Sequence, residues 1–236
     1  AQALAGRYFG WMPRLPEPPV VSAREPEQSA PREGTLQERL GPVPMLVYAY
    51  RTVPAGHADR MAINLLLHIL AGGQSSRMYD DLVMNQRLAL EVGLEPFDLQ
   101  QDGVALLVAA LPMETGQGGM DPLMSALDAH VERARDTLVT EAELEKAKNQ
   151  MRRNVVEAQL TVTGKAMAMG QAVYLYGDLD YLNRQLQDIE QVSGEDLQRV
   201  AGAYLVPERR TVVRVLPDPG FAYDPDTLFD PAAFSL

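Results

Sequence analysis

Three histidines, His57, His68 and His130, decide whether this chain could build a hydrolytic metal centre. Such a centre takes three protein ligands and a base, commonly two histidines one helical turn apart with an acidic residue. His57 is followed by Ala58, Asp59, Arg60 and Met61, His68 by Ile69, Leu70, Ala71 and Gly72, and His130 by Val131, Glu132, Arg133 and Ala134. No two of them share a helix face, and Glu132, two positions after His130, points to another side of a helix. The absence of cysteine removes thiolate ligands, thiol nucleophiles and disulfides. Met151, Met167 and Met169 sit among Ala and Gly at helix-packing positions and read as gap fillers rather than a soft metal site. No residue is therefore assigned a catalytic or metal-binding role, and no particular Ser can be brought to a His by motif. His68, on an apolar helix, reads as a satisfied core side chain.

Phosphate chemistry fares no better. Gly72-Gly73 has no strand before it and no Gly-Lys-Ser/Thr after it, so it reads as a helix break. The run from Gly116 to Gly119 lacks the full dinucleotide fingerprint and reads as a connector. A net charge of -11 repels nucleic acid, and no basic cluster exceeds Arg152-Arg153 or Arg209-Arg210. The longest apolar run, Ala62 to Ala71, is interrupted by Asn64 and His68 and is far shorter than the ~20 residues a membrane helix needs.

The elements that would position these residues can be placed by pattern. Residues 1–9 read as the last turns of a helix stopped by Gly10. Between Met12 and Pro44 fall eight of the seventeen prolines, the composition of an extended linker. An orphan helix end followed by a linker predicts a further domain upstream. Strands are predicted near Thr35 to Leu40, over Pro44 to Val53, from Ala89 to Pro96, from Val104 to Leu111 and from Arg209 to Leu216, with a tight turn at Asp102-Gly103. Helices are predicted from Asp59 to Leu70, after a cap at Ser75 or Ser76, from Asp121-Pro122 to Thr137, from the Thr140/Glu143 capping box to Leu160, over Gly164 to Tyr176, Leu179 to Gln191, and Ser193 to Tyr204. Glu143 and Glu145, each three residues before Lys146 and Lys148, read as a solvated helix face. This order is an α+β layout, helices packed on a largely antiparallel sheet. Residues 217–236 hold four prolines and four aspartates and read as a tail that is loose or lies along the surface.

Several runs recur here in the order and spacing of one family. Gly72-Gly73-Gln74-Ser75-Ser76-Arg77-Met78-Tyr79, then Leu82 and Leu88-Ala89, resembles the non-catalytic half of the M16 zinc peptidases, the pitrilysin and mitochondrial-processing-peptidase group. Tyr8-Phe9-Gly10-Trp11-Met12-Pro13, Arg24-Glu25-Pro26-Glu27-Gln28, Glu141 to Gln150, Tyr204 to Pro207 and Arg210 to Val213 extend the likeness over about residues 1–216. The family's zinc signature, His-x-x-Glu-His, does not occur in the sequence.

The resemblance implies two similar helix-backed halves facing one another around a chamber that admits peptides, with zinc in only one. By that likeness, residues 1–11 end the zinc half, 12–33 link the halves, and 34–216 form the metal-free wall. Peptide is the implied substrate and the zinc half the implied partner; the family favours the periplasm as compartment, with the cytoplasm as the alternative. Many relatives carry an Arg and a Tyr seven residues apart that reach toward the peptide, and those positions are Val83 and Leu90 here. Neither can donate a hydrogen bond, which leaves shape and docking as this half's contribution, with no proteolytic activity of its own. Gly72, Gly73, Ser75, Ser76, Arg77 and Tyr79 are expected to be structural, Arg77 by pairing with a carboxylate or capping carbonyls. A non-catalytic scaffold subunit is the alternative, and a homodimer through the vacant partner surface is a further expectation.

Overall fold

Pro44 and Pro54 bracket a run of apolar residues, and between them the chain is extended as β2 (Met45–Thr52), flanked on both sides by other strands. The computed structural model describes residues 2–13, 16, 26–38 and 43–218. Five strands pair in the order β1-β5-β2-β4-β3, with β1 at Arg32–Glu38, β3 at Glu91–Asp98, β4 at Gly103–Ala110 and β5 at Arg210–Pro217. Antiparallel ladders join β2 to β4, β2 to β5 and β3 to β4, whereas β1 runs parallel to β5. The last strand is thus inserted between the first two, a crossover that no local pattern announces. β1 starts at Arg32, two residues inside the predicted linker span, and the predicted strand end at Leu40 lies outside the described residues, as does the tail from 219 onward.

The connection between β3 and β4 is longer than the predicted tight turn. Leu99 to Asp102 make it, closed by the Leu99 N–H on the Asp102 carbonyl at 3.2 Å, while Gly103 is already paired with Asp98 and Thr52. Gly103 is needed there because a Cβ would run into the Val53 carbonyl and Thr52 Oγ1.

Alternation along β2 assigns Leu46, Tyr48, Tyr50 and Thr52 to a buried face, and α2 (Arg60–Ala71), α3 (Met120–Asp136) and α7 (Gly194–Tyr204) form the layer of the core on that side. Nine of the twelve residues of α2 are buried, as its nearly continuous apolar sequence requires. Each fully buried Leu, such as Leu46, Leu65, Leu123 or Leu197, contributes about 1.5–3 kcal/mol of transfer free energy. α4 (Glu141–Ala158) and α7 open with capping boxes, Thr140 with Glu143 and Ser193 with Asp196.

Four predicted helix details are corrected. α3 starts at Met120 behind a short 3₁₀ segment (Met113–Gly119), so Asp121 lies inside its first turn instead of capping it. Pro122 is tolerated there because first-turn N–H groups have no intrahelical partner. The helix after Gly73 widens to a π-helix over Tyr79–Asn85, and Ser76 Oγ is buried with no cap bond or other partner among the described residues. α5 (Val162–Gln171) contains no buried residue, so Met167 and Met169 are exposed, whereas Met151 packs on the core. A short π-helical turn (Ala172–Tyr176) then leads to α6 (Tyr181–Gln191). Lys148 is not solvated either: it is buried and its Nζ donates to the Glu190 carbonyl at 3.0 Å.

Candidate functional site

The strand register that buries Leu46 and Tyr48 turns Met45, Val47, Ala49 and Arg51 to the opposite side of the sheet. Cross-strand partners share a face, so Val47 lies between Val108 and Val213, and Ala49 between Leu106 and Thr211. All of these are half-buried, and Leu36 on β1 and Phe97 on β3 extend the apolar stripe to exposed edges. Glu91 and Glu95 add carboxylates along β3. At one end Arg51 donates through Nε and Nη2 to Asp102 at 3.2 and 2.8 Å and through Nη1 to the Pro26 carbonyl at 2.7 Å. Gln28 donates to the Arg210 carbonyl at 2.7 Å, which ties the 26–30 segment to that same end. Chemically, this face can bury an extended apolar segment, and its middle holds no acid–base pair.

On the helix side a buried phenol is paired. Tyr48 donates to Asp128 at 2.9 Å, Arg210 pairs with the same carboxylate, and the Arg210 guanidinium sits 4.6 Å from the Tyr48 ring centre. Burial raises both tyrosines above the ordinary phenol range, Tyr50 to about 12.

The Gly-Gly-Gln-Ser-Ser-Arg run forms a junction between α2, the π-helix and α4. Gly72 approaches His68 so closely that a Cβ would meet its ring and carbonyl, and Gly73 has φ of 94°, a conformation that favours glycine. Arg77 grips Glu143 with two charge-assisted bonds, Nε at 2.6 Å and Nη2 at 2.8 Å. Glu143 therefore serves both its capping box and Arg77, and the Arg77 bond foremost holds its carboxyl down at about 2. Lys146 Nζ donates to the Ser75 carbonyl at 2.8 Å, and His68 Nε2 meets Gln150 Oε1 at 2.8 Å. Tyr79 is half-buried at the start of the π-helix.

One contact at this junction was not legible from spacing. His130, 3% exposed on α3, meets Asp81 of the π-helix through Nε2 at 2.8 Å, and its Nδ1 has no partner among the described residues. Burial pushes the imidazole pKa down, opposed by Asp81, while Gln86 and then His130 hold the Asp81 carboxyl low. The pair is 49 residues apart, and no local pattern links it. Val83 packs half-buried against the core, and Leu90 is exposed, its N–H donating to the Ala110 carbonyl at 2.8 Å.

The three imidazoles do not fit zinc. His68 faces Gln150, His130 faces Asp81, and His57 Nδ1 accepts from the Asp59 backbone N–H at 3.1 Å. Among the described residues no three His, Cys, Asp or Glu side chains converge to hold a metal ion, and no helix is long and apolar enough to cross a membrane.

Comparison with known proteins agrees with this geometry. Residues 1–151 match the family model described as the peptidase M16 inactive domain, and the chain belongs to that family. Zinc protease PqqE of Helicobacter pylori is 23% identical over 218 residues, 91% of this chain and 48% of that protein. The uncharacterized zinc protease Rv2782c of Mycobacterium tuberculosis is 30% identical over 194 residues, 77% of this chain and 42% of that protein. The chain thus spans about half the length of the curated relatives it matches. Among solved structures, a protease from Helicobacter pylori superposes with a TM-score of 0.83 at 23% identity, covering 92% of this chain and 52% of that one. The periplasmic protease PqqL from Escherichia coli gives 0.68 at 21% identity, covering 92% of this chain and 24% of that one. These two likenesses establish the fold: a helix-backed sheet of the M16 type.

Proposed function

We propose that this chain is the metal-free wall of a two-walled zinc endopeptidase, and that the open face of its sheet lines the space in which peptide is held. The observation that carries the reading is the apolar stripe centred on Val47, Val108 and Val213, which the helices leave uncovered on the side opposite the core. An extended peptide can bury side chains on such a face at about 25 cal/mol per Å². The zinc and its His-x-x-Glu-His ligands belong to the partner half, with residues 1–11 as that half's last turns, 12–33 as the linker and 34–216 as the wall. Val83 and Leu90 offer no hydrogen-bond donor to a peptide, so the wall acts through shape and docking. The name of the periplasmic relative PqqL supports the periplasm as the compartment.

The test uses the longer protein that contains this chain together with the sequence upstream. Val47→Asp and Val108→Asp, which place charge on the stripe, are expected to lower kcat/KM on an unstructured peptide by about tenfold or more with near-native far-UV circular dichroism. Unchanged cleavage in both variants would refute the wall. An upstream domain without His-x-x-Glu-His would instead favour the scaffold subunit. The 236-residue chain alone is expected to hold no stoichiometric zinc, to cleave no peptide, and to self-associate through the stripe, so that Val47→Asp makes it monomeric in sedimentation.

A further inference from the structure

Three helical segments on the core side of the sheet diverge instead of closing on one another. The second half of α4, the end of α5 with its π-helical turn, and α6 enclose a groove of about 520 Å³ against Met61 of α2 and the last residues of β3. Each contributes residues one turn apart: Met151 and Val155, Gln171 and Leu175, Gln185 and Ile189. Stripes at that spacing are ordinarily covered by a neighbour, yet Met151, Val155 and Leu175 are only half-buried. Gln100 donates to the Tyr174 carbonyl, which ties the β3–β4 connection to the turn. The rings of Tyr176 and Tyr181, stacked 3.6 Å apart at their centres, wall another side.

Charge is nearly absent from the lining. Of its nineteen residues only Asp98 is ionised, and Arg60 already holds it, whereas 22% of the whole chain is charged. An ionised ligand would find no free counter-charge there and would lose its hydration. Carboxamides are plentiful instead: the side chains of Asn154, Gln159, Gln171 and Gln185 line the groove and make no hydrogen bond among the described residues. Water satisfies a lone surface amide, but an apolar occupant would strip water from all four, so it must bring donors and acceptors of its own. A helix uses its backbone groups internally and would leave the amides idle. An extended peptide brings one N–H and one C=O per residue, and a carboxamide can serve both.

The groove is continuous with the sheet stripe. Phe97, 50% exposed, pairs with Val104 on the open face and also lines the groove, so the two surfaces meet at the β3 edge. We propose that the groove docks an extended, uncharged and apolar segment of the same unfolded polypeptide that the stripe holds, carried round β3. The carboxamides read its backbone, and its side chains bury against Val155, Leu175 and Tyr181. The source of the segment rests on the wall proposal, whereas the chemistry of the groove does not.

Titration of the Val47→Asp chain, whose stripe is disabled, by calorimetry and by amide chemical shifts reads the groove alone. The probes are a short end-blocked peptide of Ala, Ser, Leu and Phe, the same peptide with an N-methylated backbone, one with Asp for Ser, a helix-stapled version, and a peptide of residues 219–236. Saturable binding of the first with a Kd on the order of 1 mM or tighter is expected, with shifts at Gln171 and Gln185. N-methylation and the added Asp should each weaken it about tenfold. Asn154→Ala and Gln171→Ala, at exposed positions, should each weaken it about threefold to tenfold. A longer uncharged peptide that reaches both surfaces should bind the unaltered chain about tenfold or more tighter than the Val47→Asp chain. Equal binding of the N-methylated peptide, preference for the stapled helix or for residues 219–236, or no saturation at ~10 mM overturns the proposal. A longer peptide that gains nothing from the stripe overturns the common origin of the segment. Failure of the wall shows separately, as unchanged cleavage in Val47→Asp and Val108→Asp, whatever the groove binds.

Discussion

The two faces of one sheet are built for different ends. On the helix side, β2 contributes Leu46 and Tyr48, both fully buried, and the one phenol that must be placed there is given Asp128 as acceptor and Arg210 as counter-charge. On the other side, one residue along, Met45, Val47 and Ala49 are only half-buried among other apolar side chains. A closed face maximises stability, whereas the open one keeps apolar area available for something else to bury. Strand alternation lets a single segment do both, because a shift of one residue reverses the face.

Substitutions can sharpen or break that contrast. The largest effect is expected for Leu46→Ala, which should cost about 2–5 kcal/mol in urea unfolding, while Val47→Ala beside it should cost less than about 1 kcal/mol. Equal losses at both positions would mean that the open face is covered. Next comes the Arg77–Glu143 clamp, which joins the helix side together. Because the folded carboxyl is depressed from 4.5 to about 2, its contribution is fully present above pH 4.5 and fades as pH falls toward about 2. Glu143→Gln should lower stability by about 1–3 kcal/mol at pH 7 and flatten that acid limb.

His130 is a smaller, separable effect of the same closed side. Its folded pKa lies below the ordinary 6.5, so the unfolded chain binds a proton first and stability declines as pH falls below 6.5. His130→Asn should remove that slope between pH 6.5 and 5 in parallel denaturation curves, and an unchanged slope would assign it to another group. The smallest change is expected at Ser76. Replacing its unpartnered hydroxyl by Ala should leave stability unchanged or raise it by up to about 1 kcal/mol in thermal unfolding.

Local signals carried well wherever neighbours in sequence are neighbours in space. The capping boxes at Thr140 and Ser193 lie three residues from their partners, and the apolar runs of β2 and α2 state their own burial. Capping at Asp121 failed because a 3₁₀ lead-in moved the helix start to Met120, whereas Ser76 does precede its helix and its carbonyl accepts from the Asp80 N–H, but its hydroxyl makes no cap bond among the described residues. Met167 and Met169 failed for another reason: composition among Ala and Gly cannot tell a helix lying on the core from one lying outside it. Tyr at the buried positions 48 and 50 was the one available hint of a polar network, since a buried phenol needs a partner.

The sequence by itself determined the elements, the lack of a metal-ligating histidine pair and the family. Periodicity, short-range caps and ordered motifs depend only on residues a few positions apart. Tertiary structure alone decided that β5 enters the sheet between β1 and β2, that His130 finds Asp81, and that Arg60 is buried beside Asp98. Those outcomes hinge on which distant segments share the low-dielectric interior, and a buried charge takes its partner from whatever packing brings near.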